Sequence, residues 1–166
     1  MKTWFTADQH FGHANIIKYC ERPFPSVHEM DRTMIQRWNE RVRTEDTVYH
    51  VGDFSFQNQG NYIHRLNGTK HLIRGNHDHK RMQKNGWASV NDLLFVTVSG
   101  TDIVLCHYGM RVWHKSHRGA LHLYGHSHGK LPGTSASLDV GVDCWDFFPV
   151  SLEEIKKRLG NFTAPI

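Results

Sequence analysis

Residues 71–78 read His71-Leu72-Ile73-Arg74-Gly75-Asn76-His77-Asp78. A short apolar run empties into a glycine and three side chains rich in lone pairs. Ligands of open α/β sheets gather beyond strand C-termini. The stretch therefore predicts a strand over Thr69–Ile73 that delivers Asn76, His77 and Asp78 to a site. Alone, Asn-His-Asp can also be read as a turn, because Asn and Asp favour turns. Four further clusters share its character: Asp8-Gln9-His10, Gly52-Asp53, His107 and Gly125-His126-Ser127-His128.

Each cluster follows its own predicted strand. Lys2–Ala7 is rich in strand formers and ends at Asp8, and Thr47–Val51 ends at Gly52-Asp53. Between them Val27, Met30, Met34, Ile35, Trp38 and Val42 recur at helical spacing behind a Ser26/Glu29 capping pair. That pattern predicts an amphipathic helix to about Arg43. Shorter helical patterns cover His13–Cys20 and Tyr62–Leu66. Arg22-Pro23-Phe24-Pro25 and Gln57–Gly60 read as loops. In the second half, Leu93–Ser99 and Asp102–Cys106 flank Gly100-Thr101 as a hairpin whose second strand runs into His107. Leu121–Tyr124 is a strand ending at Gly125, and Leu138–Val142 is another. Ser151 with Glu154 opens a C-terminal helix that Gly160 closes. Strands alternating with helices predict an α/β class.

The chain has 166 residues, 39% hydrophobic and 22% charged, which suits one globular domain over 1–166. A net charge of +4 suits anionic substrates without requiring nucleic acid. The run Lys156-Lys157-Arg158 reads as a solvated helix face. The unusual feature is 14 histidines against 16 acids, which raises metal binding first. Cys20, Cys106 and Cys144 stand alone, so neither a zinc ribbon nor a disulfide framework is indicated. No apolar run approaches membrane-spanning length and no leader is visible, so a cytoplasmic protein without membrane partners is expected.

Asp8, His10, Asp53, Asn76, His107, His126 and His128 are all oxygen or nitrogen donors at strand ends. Two divalent ions sharing one carboxylate need about such a set, held ~3.5–4 Å apart. Carboxylate, amide and imidazole together suit borderline first-row ions, Mn, Fe, Zn or Ni, rather than Mg or Ca, and Mn is the ion expected. In Asp8-x-His10 and His126-x-His128, an extended chain would turn both side chains to one side. Glycines 52, 75 and 125 allow backbone to pass close by.

The ordered motifs Asp8-x-His10, Gly52-Asp53, Gly75-Asn76-His77-Asp78, His107 and Gly125-His126-x-His128 resemble those of the calcineurin-like metallophosphoesterase superfamily, in its small uncapped form. The resemblance implies a four-layer α/β/β/α sandwich of two mixed sheets flanked by helices. It implies one metal on Asp8, His10, Asp53 and His128, and a second on Asp53, Asn76, His107 and His126. A bridging hydroxide would be the nucleophile. His77 would bind a phosphoryl oxygen or protonate the leaving alkoxide, with Asp78 orienting its ring. Gly52-Asp53-Phe54-Ser55-Phe56 lacks the acid and arginine of the protein phosphatases, so that activity is not implied.

The implied reaction is phosphoester hydrolysis, with diesters of small nucleotides or RNA/DNA ends ahead of phosphomonoesters and nucleotide pyrophosphates. A non-catalytic metal-binding scaffold is the competing class, and the intact donor set speaks against it. No obligatory protein partner is evident. Three residues outside the motifs are candidate substrate contacts: Arg111 and Arg22 for a phosphate, Trp113 as a stacking face. Trp113 reads equally well as core. Cys106 points away from its neighbour His107 and reads as a structural thiol.

Overall fold

Strands β1 (Thr3–Thr6), β2 (Thr47–His50), β3 (Thr69–Ile73) and β4 (Ser89–Asn91) run parallel, and β9 (Val150–Ser151) pairs antiparallel with β1. The order is β4-β3-β2-β1-β9. A second mixed sheet has the order β5-β6-β7-β8, from β5 (Leu93–Val98), β6 (Thr101–Cys106), β7 (Leu121–Tyr124) and β8 (Ser137–Asp139). Here β5 and β6 form the expected hairpin, while β6, β7 and β8 are parallel. The computed structural model describes residues 1–56, 60–78 and 86–162. The expected polar loop at Gln57–Gly60 lies outside the described residues except for Gly60.

Alternation along β1 sets the layering. Phe5 joins Val51, Ile73, Ile103, Leu105, Leu123 and Leu138 in a core between the sheets. Trp4 points the other way, into a cluster with Val48, Met30, Met34 and Trp38. That second cluster lies under helices α1 (Ala14–Tyr19), α2 (Val27–Arg41) and α3 (Gly60–Ile63), which contribute Ile16, the stripe of α2 and Ile63. Parallel strands buried on both faces depend on such cover. Helix α4 (Leu152–Leu159), opened by the Ser151–Glu154 capping box, adds Leu152, Ile155 and Leu159 to the inter-sheet core. Each such side chain contributes about 1.5–3 kcal/mol.

The outer face of the second sheet is covered mainly by connecting segments. His122 points away from the inter-sheet core and accepts from the Met110 amide at 3.0 Å. Trp113 packs 5.3 Å from the His122 ring and donates its indole N–H to the Ala120 carbonyl. Trp113 is therefore core. Its expected role as a stacking face at the site is overturned, because the sheet needs an apolar lid there and no helical pattern supplies one. Among the described residues, no helix is long and apolar enough to cross a membrane.

Asp46 ties β1 to the α2–β2 turn. It accepts from the amides of Lys2 and Arg43 and from the Trp4 indole at 2.6, 3.0 and 3.0 Å. Burial raises its pKa, but these bonds outweigh it and hold the carboxyl at about 2. Asp46→Ala is expected to lose about 2 kcal/mol in denaturant titration, because three donors lose their acceptor. The contribution should be complete above the unfolded carboxyl pKa of about 3.9 and fade as pH falls towards 2. An unchanged unfolding midpoint at neutral pH would contradict this reading.

Candidate metal centre

The segments after β1, β2, β3, β6 and β7 converge at one end of the sandwich. Asp8, His10 and His128 offer donor atoms within 4.8 Å of one another, and so do Asp53, His107 and His126. Asp53 links the groups: its Oδ2 lies 3.6 Å from His10 Nε2 and 3.4 Å from His107 Nε2. Asn76 Oδ1 lies 3.2 Å from His107 Nε2. All seven expected donors meet here. His77 is also close, with a ring nitrogen within 4.8 Å of donors on His10 and Asp53.

The backbone that presents them is not the extended chain the i, i+2 spacing suggested. Asp8, His10, Asp53, His126 and His128 have φ of 60°, 51°, 59°, 65° and 47°. Left-handed geometry at non-glycine residues costs about 1–2 kcal/mol each, and such strain collects at functional sites. Asp8 and His10 still converge, through tight left-handed turns, whereas His126 and His128 serve different donor groups. Glycine is needed for close approach at two points. A Cβ on Gly52 would lie 2.3 Å from His107 Nδ1, and one on Gly75 would lie 2.2 Å from Asp53 Oδ1.

Supporting bonds aim the donors. His107 Nδ1 lies 2.8 Å from the Val51 carbonyl, which can only accept, so Nδ1 carries the proton and Nε2 presents a lone pair to the site. His128 Nδ1 pairs with Asp143 Oδ2 at 2.8 Å. Asp139 holds the turn between His126 and His128, accepting from the Ser127 hydroxyl and the Gly129 amide at 2.5 and 3.0 Å. Asp78 accepts from the amides of Asp53, Phe54 and Gly75 at 2.7, 3.0 and 2.8 Å. Its carboxylate thus shapes the Asp53 turn. Three amide donors of the tight turn converge on that carboxylate.

Arg22 requires a second correction. It is buried, donates to both carboxylate oxygens of Asp143 at 2.8 and 2.9 Å, and caps the carbonyls of Asp8 and Gln9 at 2.7 and 2.9 Å. A guanidinium so satisfied braces the metal end of β1 and is not free to take a substrate phosphate. Arg111 is exposed and makes no hydrogen bond among the described residues. Asp143 went unnoticed in the sequence, although it follows β8 as Asp53 follows β2. Cys20, isolated in sequence, places its sulfur within 4.8 Å of donors on His128 and Asp143.

The electrostatics suit cations. Burial pushes the Asp8 carboxyl up to about 8, against the pull of His107 and His128. Burial also raises Asp53, but the hydrogen bond and charge of His107, the His77 amide and His10 hold it at about 2. His10 is driven down to about 3 by burial, and both its ring nitrogens are buried without a hydrogen-bond partner among the described residues. Orphaned imidazole nitrogens beside two buried carboxylates fit a divalent metal pair. Asp143→Asn, which weakens the carboxylate behind His128, is expected to lower metal affinity about 10–100-fold, read by competition with a chromogenic chelator. Unchanged affinity would mean that Asp143 serves only the Arg22 contact.

The chain is similar to known proteins over most of its length. The chain is 36% identical over 165 residues to the uncharacterized protein MJ1445 of Methanocaldococcus jannaschii, covering 95% of this chain and 91% of that protein. A protein of unknown function from Aquifex aeolicus, AQ665, superposes with a TM-score of 0.75 at 24% identity, covering 95% and 98% of the two chains. A structure described as a novel archaeal phosphodiesterase superposes with a TM-score of 0.52 at 19% identity, covering 85% and 82%. Residues 1–138 match the calcineurin-like phosphoesterase superfamily domain, and this stretch holds all seven donors. The chain belongs to the calcineurin-like phosphoesterase superfamily.

Proposed function

We propose that this chain is a dinuclear metal-dependent phosphodiesterase acting on small nucleotides or nucleic-acid ends, with one domain over 1–166 carrying the activity. The observation that carries the reading is Asp53, whose Oδ2 sits between His10 and His107 and so joins two donor groups. Asp8, His10, Asp53 and His128 would hold one ion, and Asp53, Asn76, His107 and His126 the other. The mixed carboxylate, amide and imidazole donors suit a borderline first-row ion; Mn is the ion proposed, with Fe, Zn or Ni as alternatives. When bound, such ions act as Lewis acids towards phosphoryl oxygens and lower the pKa of a water towards about 7.

The remaining chemistry falls to His77. Its amide is fixed on Asp53 Oδ1 at 2.8 Å, and its half-buried ring stands edge-on 5.2 Å from that of His10. From there it can donate a hydrogen bond to a phosphoryl oxygen and a proton to the leaving alkoxide. Arg111, exposed beyond the His107 loop, is retained as a candidate phosphate contact. The fold shared with an archaeal phosphodiesterase points the same way. Free cysteines at 20, 106 and 144 suit a reducing, cytoplasmic location.

The test is metal add-back to stripped protein. Mn, Ni, Zn, Fe or Mg would be supplied with bis-p-nitrophenyl phosphate, p-nitrophenyl phosphate, cyclic nucleotides and dinucleoside polyphosphates. Mn-dependent turnover of the diester above the monoester is expected. A preference for the monoester would overturn the diesterase reading, and no turnover with any metal would overturn the enzyme reading.

A further inference from the structure

Among the described residues, four aromatic side chains are exposed: Tyr19, Phe56, Phe95 and Tyr108. Single exposed apolar groups need no explanation. Three of these four, however, stand around the metal centre. On one side the His13 ring lies 5.6 Å from His10 and 6.3 Å from His77. Phe56 stacks on that ring at 4.4 Å and 14°, and Tyr19 meets it edge-on at 6.3 Å. Tyr108 lies at the other donor group, 4.9 Å from the His126 ring and 5.1 Å from His107. Asp53 stands between these groups.

The first wall is braced. The Phe56 amide donates to the Phe11 carbonyl at 3.0 Å, and Phe11 and Ser55 form a parallel bridge. The Gly12 amide is held by Asp31, which also accepts from the Tyr62 hydroxyl. Phe56 is therefore presented by two stitched loops, with 43% of its surface open. Exposed aromatic faces held beside a cationic centre are the chemistry that receives bases flanking a phosphate. A phosphodiester has two substituents, and this centre has an aromatic wall at each donor group.

We propose that Phe56 with Tyr19, and Tyr108 at the other donor group, are stacking faces for two nucleobases, so that the substrate is a phosphodiester with a nucleoside on each side. The proposal rests on the phosphoesterase reading above and adds to it the class of both substituents.

A binding ladder tests it, on protein supplied with Mn. The probes are ribose 5-phosphate without a base, adenosine 5′-monophosphate with one, and a hydrolysis-resistant phosphorothioate-linked diadenosine dinucleotide with two. Calorimetry should show each base tightening binding about tenfold. Phe56→Ala and Tyr108→Ala, both at exposed positions, should each remove one step, judged by ratios of Kd within one protein. The double variant should bind all three probes within about twofold. A flat ladder in the wild type, or a full ladder in the double variant, overturns the base sites. Turnover of bis-p-nitrophenyl phosphate on the same preparations separates the failures. Turnover with a flat ladder sinks the base sites alone, whereas no turnover with no phosphate binding sinks the phosphoesterase reading with them.

Discussion

Replacing Asp53 by Asn is expected to lower kcat/KM for bis-p-nitrophenyl phosphate by about a thousandfold or more, roughly 4 kcal/mol of barrier. It should also leave fewer than two ions per chain. Both effects come from one atom. Asp53 Oδ2 lies between the imidazoles of His10 and His107, while Oδ1 holds the His77 amide. An amide in its place keeps the size but removes the charge and one pair of acceptor positions. The folded turn should survive, because the Asp53 amide is still bound by Asp78 and Gly75 still permits the approach. Metal content by mass spectrometry and steady-state turnover are the readouts. Two bound ions with wild-type rates would show that Asp53 is not shared between them.

The second large effect is the opposite in kind. His77→Asn should retain both ions and lose about 10²–10⁴-fold in rate, the range for a positioned acid. The loss should be greatest for alkyl esters, whose leaving groups need a proton, and least for p-nitrophenyl esters. Retention of metal follows from the contacts. His77 is fixed through its backbone, and neither Asp53 nor His10 depends on its ring for a hydrogen bond. Loss of one ion in this variant would instead make His77 a ligand, which its proximity to His10 and Asp53 permits.

The two variants separate what was readable in the sequence from what was not. The donors were legible because each ends a local pattern, an apolar strand followed by a polar cluster. The backbone that aims them was not. Left-handed φ at Asp8, His10, Asp53, His126 and His128 is imposed by neighbours such as the Gly52 carbonyl, which takes the Asp8 amide from 44 positions along the chain. The bracing role of Arg22 is hidden for the same reason, since its partner Asp143 is 121 residues away. Trp113 sits between two site motifs in sequence yet covers His122 on the far face of the second sheet. β4 and β9, three and two residues long, are too short to show a period and exist only through pairing with β3 and β1.

The most direct measurement is turnover of bis-p-nitrophenyl phosphate while stripped protein is titrated with Mn, with binding followed in parallel. A dinuclear centre built on Asp53 should be inactive without metal and reach full rate at two equivalents per chain. Turnover that persists in excess chelator, or that is complete at one equivalent, would contradict it.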